Sequence, residues 1–595
     1  VKDDFESYIA KAINNSDRWE EPCFFVSEKY LIFQKEAHYA ANLKKRLHGR
    51  MNLEELKVAT QFFTPVELVK FVADNSLARL IAEKGAKNIR IFDPAAGTGN
   101  MLFYACRILK EAYEKEGLDK RKIVAAIEKN VSGADIDRRA SSVAERMIKK
   151  YFGADIIIRT PPEVTEAGRR FLMGAGLEKL IEAYENLSAR GSLQNIPPSD
   201  LRKLKAAANS PDSPNEIKNF YGFLSAVHKK YDVILLNPPY LASSDLEKGL
   251  LGFLASEYSP YKADLFGAFI AKFSSKIKSG GYIGVVCPYN WMFIKQFMKL
   301  REKILQNNDI ITLAMLGTST YRQAVVYLSA FVLSGGKKGI TGKYIKCSKS
   351  LDSGVGYEIS ADRFYKTPYK ALIFWTGEKF IENYSCGRLS DVMEIRQGMA
   401  TGDNKKYLKK ISDVSPGEID FSASSLDEFI SGGKKYALYE KGGVYRKWFG
   451  NRSLVILFDD EARKKLAKSG NRMPSRSYYF KPAITWTLVS SKGHFGARLT
   501  DNSVFDVGGS CGFPKDPADI YIILAYLCSN VATYYLNAQN PTLNCQVGDL
   551  KKSSLYNSGG RGGKADRRAR KGERSNRPRR LGRGYPEGRG KGKVF

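Results

Sequence analysis

Ile91-Phe92-Asp93-Pro94-Ala95-Ala96-Gly97-Thr98-Gly99-Asn100-Met101-Leu102 is the stretch on which the architecture turns. An apolar run ends at Phe92, and an acid follows at its carboxyl end. Two glycines then let the chain turn sharply and approach a ligand closely. From Asn100 onward the residues favour helix. Strand, glycine loop and helix in this order make a nucleotide-type site at the carboxyl edge of a sheet. The third glycine of the dinucleotide fingerprint is absent, and no Gly-Lys-Ser/Thr follows, so neither a dinucleotide nor a P-loop site is indicated.

On either side of this loop, apolar β-type runs alternate with helical stretches from Phe62 to about Lys346. The runs are Ile89–Phe92, Val131–Ile136, Val233–Leu236, Gly281–Val286, Ile310–Leu316 and Val325–Leu333. Such alternation predicts an α/β fold with helices on both faces of one sheet. Residues 1–55 read as a polar, mostly helical N-terminal segment. Residues 56–346 form the α/β domain. Within it, about 160–230 breaks the rhythm with Pro161-Pro162, Pro197-Pro198 and a Ser/Pro/Asp run at 209–214, and reads as a partly helical insertion with loops. From about Gly354 to Leu550 short strand-like pieces and more Gly, Ser, Tyr and Lys predict a second, α+β domain. At ~150 residues per domain, 595 residues suit this division. The first residue is not Met, which leaves room for an upstream part.

Two further stretches carry chemistry. Val131-Ser132-Gly133-Ala134-Asp135-Ile136-Asp137 ends the second strand in acids, and a carboxylate there can accept hydrogen bonds from both hydroxyls of a ribose. Asp135 is favoured over Asp137. Its distance from Gly97 exceeds the usual ~20 residues because a long helical stretch intervenes. Tyr231-Asp232-Val233-Ile234-Leu235-Leu236-Asn237-Pro238-Pro239-Tyr240 is the most informative stretch. An apolar strand runs straight into Asn-Pro-Pro-Tyr. The prolines hold the backbone extended. The side-chain oxygen of Asn237 and the carbonyl of Pro238 can then receive the two hydrogens of an amino group. Tyr240 offers a face on which a planar base can stack.

These residues resemble the amino-group DNA methyltransferases of the gamma motif order, adenine-N6 type, which use S-adenosyl-L-methionine. In that order a Thr-Pro motif precedes the glycine loop, and Gln61-Phe62-Phe63-Thr64-Pro65-Val66 is similar to it. The resemblance implies a Rossmann-like methyltransferase domain followed by a target-recognition domain. It implies cofactor contacts at Thr64, Asp93, Ala95, Gly97, Gly99 and Asp135, and a catalytic loop of Asn237, Pro238 and Tyr240. Lys262–Phe269 is similar to the family's next helix, so Phe269 would flank the cofactor adenine. Leu316–Tyr321 resembles a later loop, so Tyr321 would stack on the target base opposite Tyr240. The family's carboxylate for the purine amino edge has no counterpart; it should precede Asn237, where the insertion lies. Motifs of the second half, from Arg396–Asn404 through Tyr445–Asn451 to Leu536–Asn544, narrow the likeness to BREX-type (PglX) phage-defence methyltransferases and type IIG restriction–modification relatives. The likeness covers most of residues 57–550. Those relatives run longer, so the recognition domain is expected to be truncated.

The expected partner is double-stranded DNA, with other defence-system proteins as further candidates. Chemistry on a stacked base requires it to flip out of the duplex. The formal net charge is +32, of which residues 551–595, with 16 Lys and Arg against 3 Asp and Glu, hold +13. The other 550 residues keep +19, which suits a polyphosphate partner. The Gly/Arg-rich tail at 551–595 cannot fold alone. It is either a disordered nucleic-acid-binding extension or out-of-frame translation, and its abrupt onset favours the second. The eight Cys are scattered without a CxxC pair. This composition predicts reduced thiols and no metal, in a cytoplasmic protein without a membrane span. Three rivals stand beside this reading: a glutamine-N5 protein methyltransferase, an inactive DNA-binding specificity component, and a bifunctional restriction–modification enzyme with an upstream nuclease.

Overall fold

The computed structural model describes residues 2–46, 50–60, 64–317, 327–348, 350–383, 387–468, 473–488, 495–540 and 545–553. Its centre is a nine-stranded sheet. The strands are β1 (Ile91–Asp93), β2 (Val131–Ala134), β3 (Ile157–Arg159), β4 (Tyr231–Leu236), β5 (Ile277–Pro288), β6 (Ile310–Met315), β7 (Leu328–Ser334), β8 (Gly342–Lys346) and β9 (Val355–Ile359). Their spatial order is β3-β2-β1-β4-β5-β7-β6-β8-β9. From β3 to β5 every pairing is parallel. β7 runs antiparallel between β5 and β6. The strand order reverses beside β1, whose neighbours are β2 and β4, so a crevice opens at the carboxyl ends of these strands.

The sequence dictates this centre through burial. The last four residues of β4, Val233 to Leu236, are wholly enclosed, as expected for a parallel strand covered on both faces. Tyr231 at its start stacks on Phe92 of β1, with centroids 4.5 Å apart. Helix Asn100–Lys115 covers one face through Met101, Leu102, Ala105, Cys106 and Leu109. Helix Leu265–Phe273 is buried along its entire length. β3 escapes the periodicity argument because it has only three residues, with the outer Ile157 exposed. β9 lies past the compositional break near Gly354. It is an edge strand with much of its surface in water, which is why its composition reads unlike the interior strands.

The stretch 160–230 is far more helical than its prolines suggest. Pro197 and Pro214 sit at helix starts, immediately before Pro198–Ala208 and Asn215–His228, where a missing N–H costs nothing. The segment buries Leu172, Tyr184, Leu187, Leu193, Phe220, Phe223 and Leu224 in the main core. At about 1.5–3 kcal/mol for each large apolar side chain, this burial outweighs what a surface excursion would contribute, and the segment is an integral wall of the domain.

Beyond the first sheet the described residues build two further sheets, of four and five strands. One core gathers Tyr439, Phe458, Tyr479 and Phe480. Another gathers Ile484, Trp486, Leu524 and Leu527 under helices Ile520–Leu527 and Asn530–Gln539. The fold is therefore α/β followed by α+β, as the residue patterns indicated. No helix among the described residues is long and apolar enough to cross a membrane.

Candidate functional site

A cleft with about 1000 Å³ of empty space, open to solvent, lies at the carboxyl edge of β1, β2 and β4. Its floor is the glycine loop. Asp93 is 1 % exposed, and its Oδ1 accepts the Ala95 N–H at 3.0 Å. Ala96 N–H reaches across to the carbonyl of Ala134 at 3.0 Å. Gly97 and Gly99 have φ of 51° and 84°, in the left-handed region that side chains strain. A Cβ on Gly99 would also stand 2.6 Å from the Ala144 Cβ. Gly99 thus brings the loop onto helix Arg138–Phe152, and it does not itself border the cleft.

Asp135 locks the loop to β2. Its Oδ2 accepts the Gly97 N–H at 2.7 Å and its Oδ1 the Asp137 N–H at 2.8 Å. Asp137 turns differently: one oxygen caps helix Arg138–Phe152 and the other accepts from the Tyr30 hydroxyl. The two acids Asp93 and Asp135 differ in charge. Burial pushes the Asp93 carboxyl up to about 8, with the nearby Asp135 charge adding to the rise and the Ala95 N–H opposing it. Burial also raises Asp135, but the Asp137 and Gly97 N–H groups hold it to about 6. At neutral pH Asp93 is a neutral element of the turn, while Asp135 is ionised and retains lone pairs for hydroxyl donors.

This difference predicts the pH dependence of ligand affinity. A ligand whose hydroxyls donate to ionised Asp135 competes with a proton, so affinity is complete well above pH 6 and falls as pH drops through it. Between pH 7.5 and pH 5 the loss is expected to be about tenfold. Calorimetric titration of S-adenosylhomocysteine at several pH values measures it, and Asp135→Asn should flatten the profile. A profile equally steep in that variant would remove Asp135 from this role.

The catalytic loop reaches the same cleft. Asn237 and Pro239 border it together with Asp93, Ala95, Gly97 and Asp135, whereas Pro238 is buried and does not border it. The Tyr240 hydroxyl donates to the Asn237 side-chain oxygen, with the Val286 carbonyl 3.1 Å away. Its ring meets Phe266 edge-on at 6.3 Å. An amide oxygen has two lone pairs, so Asn237 can hold the tyrosine and still accept from an amine. The loop is anchored from below: Leu241 N–H donates to Asp264 Oδ1 at 3.0 Å, and the same oxygen caps helix Leu265–Phe273. That helix presents Leu265 and Phe269 to the cleft. Thr64, 5 % exposed, borders it too. Tyr321, and Gln61 to Phe63 ahead of Thr64, lie outside the described residues.

Two contributions escaped the reading of the residues. Leu56, Lys57 and Thr60 line the cleft from helix Leu53–Ala59 and its end. Ala189 to Leu193 of the insertion form one wall, and the Ser192 hydroxyl donates to the Pro94 carbonyl at 2.6 Å. The carboxylates bordering the cleft among the described residues are Asp93, Asp135 and Asp137, all from the ends of β1 and β2. The insertion brings none where the family places its purine-edge acid.

S-adenosyl-L-methionine suits this donor set. Asp135 provides acceptors for hydroxyls, Ile136, Leu250, Leu265 and Phe269 provide apolar surface for a purine, and the glycine loop needs no phosphate. One buried donor in the floor, Asn100 Nδ2, has no protein partner and fits a ligand acceptor.

Comparison with known proteins agrees with the geometry. Residues 49–144 match the family model of N-6 DNA methylases, and residues 129–320 that of the Eco57I restriction-modification methylases. The chain is 26% identical to the adenine-specific methyltransferase PglX of Lacticaseibacillus casei (strain Zhang), over 88% of this chain and 51% of that protein. It is 24% identical to the adenine-specific methyltransferase BrxX of Escherichia coli O9:H4 (strain HS), over 86% and 51%. It is also 24% identical to the type II methyltransferase M.BanIII of Aneurinibacillus aneurinilyticus, over 62% and 61%. The chain spans about half the length of the first two. The resemblance to adenine-N6 methyltransferases of the BREX type is borne out: the chain is their homologue over most of its own length.

Proposed function

We propose that this homologue of the adenine-specific methyltransferases transfers a methyl group from S-adenosyl-L-methionine to N6 of an adenine flipped out of duplex DNA, in phage defence or restriction–modification. The observation that carries the reading is that Asn237 borders the same cleft as Gly97 and Asp135. When bound, S-adenosyl-L-methionine supplies an electrophilic methyl on a sulfonium that departs as a neutral thioether. Asp135 holds the ribose hydroxyls, and Phe269 and Leu265 pack against the purine. Asn237 Oδ1, which borders the cleft, would accept one hydrogen of the target amine and turn the nitrogen lone pair toward the methyl; the carbonyl of Pro238, which lies behind the cleft's border, would take the second hydrogen after a small shift of the loop. The amine nitrogen aligned in this way would take the methyl, and its excess proton would leave to water. Little general-base chemistry is needed, so alignment provides most of the acceleration.

Tyr240 has two roles here. Its hydroxyl orients the Asn237 amide, and its ring would be a stacking face for the base. Lys and Arg side chains hold the phosphates, and the second domain reads base edges. The net charge of +19 over residues 1–550 suits a polyphosphate partner. The test is labelled methyl transfer to duplex DNA and to protein substrates in parallel. N6-methyladenine in DNA at a defined sequence motif is expected. Label on a glutamine amide instead would establish the protein-methyltransferase rival.

A further inference from the structure

The stretch Tyr445–Asn451, singled out in the sequence, does not border the cleft. It lies in the loop 441–453, between strands Tyr436–Glu440 and Leu454–Leu457 of the five-stranded sheet. The loop leaves that sheet and docks on Ala497–Thr500, the edge strand of the four-stranded one. Trp448 N–H donates to the Ala497 carbonyl at 2.8 Å, and Leu499 N–H to the Trp448 carbonyl at 2.9 Å. Asn451 Nδ2 ties the two arms of the loop by donating to the Val444 carbonyl at 2.7 Å. Lys447 Nζ donates to the Cys528 carbonyl at 2.6 Å. Gly496 permits the close approach: a Cβ there would stand 2.4 Å from the Arg446 carbonyl.

The backbone is held, yet the large side chains it carries stand in water. Val444 is 70 % exposed, Trp448 53 % and Phe449 63 %. The fold gains nothing from keeping them there, because apolar surface left in water forgoes its burial. Trp448 also sits at φ 75°, a left-handed conformation that a residue with a Cβ disfavours. Conformations of this kind persist where function over-determines them, and a contiguous exposed apolar patch marks a contact with another molecule.

The charge around the patch selects the partner. From Lys441 to Arg452 the chain carries Lys441, Arg446, Lys447 and Arg452 and no acid. Lys441 is paired with Asp506, and Arg452 with Asp501 and Glu440. Arg446 and Lys447 have no ion pair among the described residues, and Arg446 is exposed. Flat apolar rings beside uncompensated cations match a nucleic acid, in which base faces lie next to phosphates. An apolar protein groove would cover the rings and leave both cations without counter-charge. Resting on the DNA reading above, we infer that Trp448 and Phe449 stack against base faces where the bound duplex is unstacked, with Arg446 on an adjoining phosphate. A duplex with one base flipped out offers such faces. Stacking of this kind differs from reading base edges: it tolerates any sequence, and it adds affinity rather than specificity.

The experiment measures equilibrium binding of the full chain to labelled duplex DNA by fluorescence anisotropy over a range of salt concentrations. Trp448→Ala and Phe449→Ala should each weaken binding about tenfold, as the loss of one base stack implies, without changing the slope of log affinity against log salt. Arg446→Ala should reduce that slope by about one. Trp448→Phe, which keeps a ring, should retain most of the affinity. Trp448→Gly separates stacking from folding, because glycine accepts φ 75°: its melting temperature should stay near the parent's while DNA binding falls as in Trp448→Ala. A melting temperature that falls along with DNA binding in every Trp448 and Phe449 variant would make the side chains structural and overturn the inference. Unchanged DNA affinity in Trp448→Ala and Phe449→Ala would overturn it too and give the patch to a protein partner. If the parent chain itself binds no DNA, the DNA assignment fails and this inference with it.

Discussion

Asn237→Ala is expected to abolish methyl transfer while leaving cofactor affinity within about twofold. The side-chain oxygen lost is one of two acceptors proposed to align the amine, and it is also the anchor of the Tyr240 hydroxyl. Removing a single preorganised hydrogen-bonding group in an active site typically costs about 10²–10³ in rate. Here the substitution also removes one of two acceptors of the Tyr240 hydroxyl, the other being the Val286 carbonyl, so a loss of at least about 10³ is expected. Asp135 and the Gly97 loop are tied to each other and to Asp137, so the cofactor half of the cleft should survive. Single-turnover transfer of labelled methyl to duplex DNA, beside calorimetric binding of S-adenosylhomocysteine, measures both halves. Near-normal transfer by this variant would end the amine-alignment mechanism.

Asp135→Ala should have the opposite signature, with binding lost first. Its carboxylate accepts the Gly97 and Asp137 N–H groups and would accept ribose hydroxyls as well. Truncation leaves two N–H groups beneath the cleft without their acceptor, at about 1–3 kcal/mol each. The glycine loop loses its tie to β2 at the same moment. Cofactor affinity is expected to fall at least about 100-fold, and the melting temperature to fall with it. Asp135→Asn, which retains one acceptor oxygen, should lie between. Unchanged affinity in Asp135→Ala would transfer the ribose role to Asp137, whose carboxylate also borders the cleft.

Much of the cleft was legible because its chemistry is local. A strand end, a glycine turn and a helix start occupy twelve consecutive residues from Ile91 to Leu102. Asn237 follows the last residue of β4 directly. Each such motif carries its own backbone constraint, and the sheet's topology then brings the strand ends together. The unread parts are those that act at a distance. Ser192 meets Pro94 across 98 positions, Ser27 meets Asn100 across 73, and Tyr30 meets Asp137 across 107. A serine or tyrosine on a helix face carries no mark of the partner it will find. Within 160–230 the exact helix bounds were not legible for a related reason: at a helix start proline is permitted, and composition alone does not tell a start from a break.

By itself the sequence determined the α/β alternation, the glycine loop, the acid after β2 and the Asn-Pro-Pro-Tyr loop after β4, because backbone periodicity and turn sterics act within a few residues. Only the tertiary structure decided that β7 reverses between β5 and β6, that the insertion closes one wall of the cleft, and that helix Pro22–Phe33 sets Cys23, Ser27 and Tyr30 against the glycine loop and Asp137. Those outcomes depend on which buried surfaces and buried polar groups find partners when the whole chain packs, and that selection is made by the core as a whole rather than by any one segment.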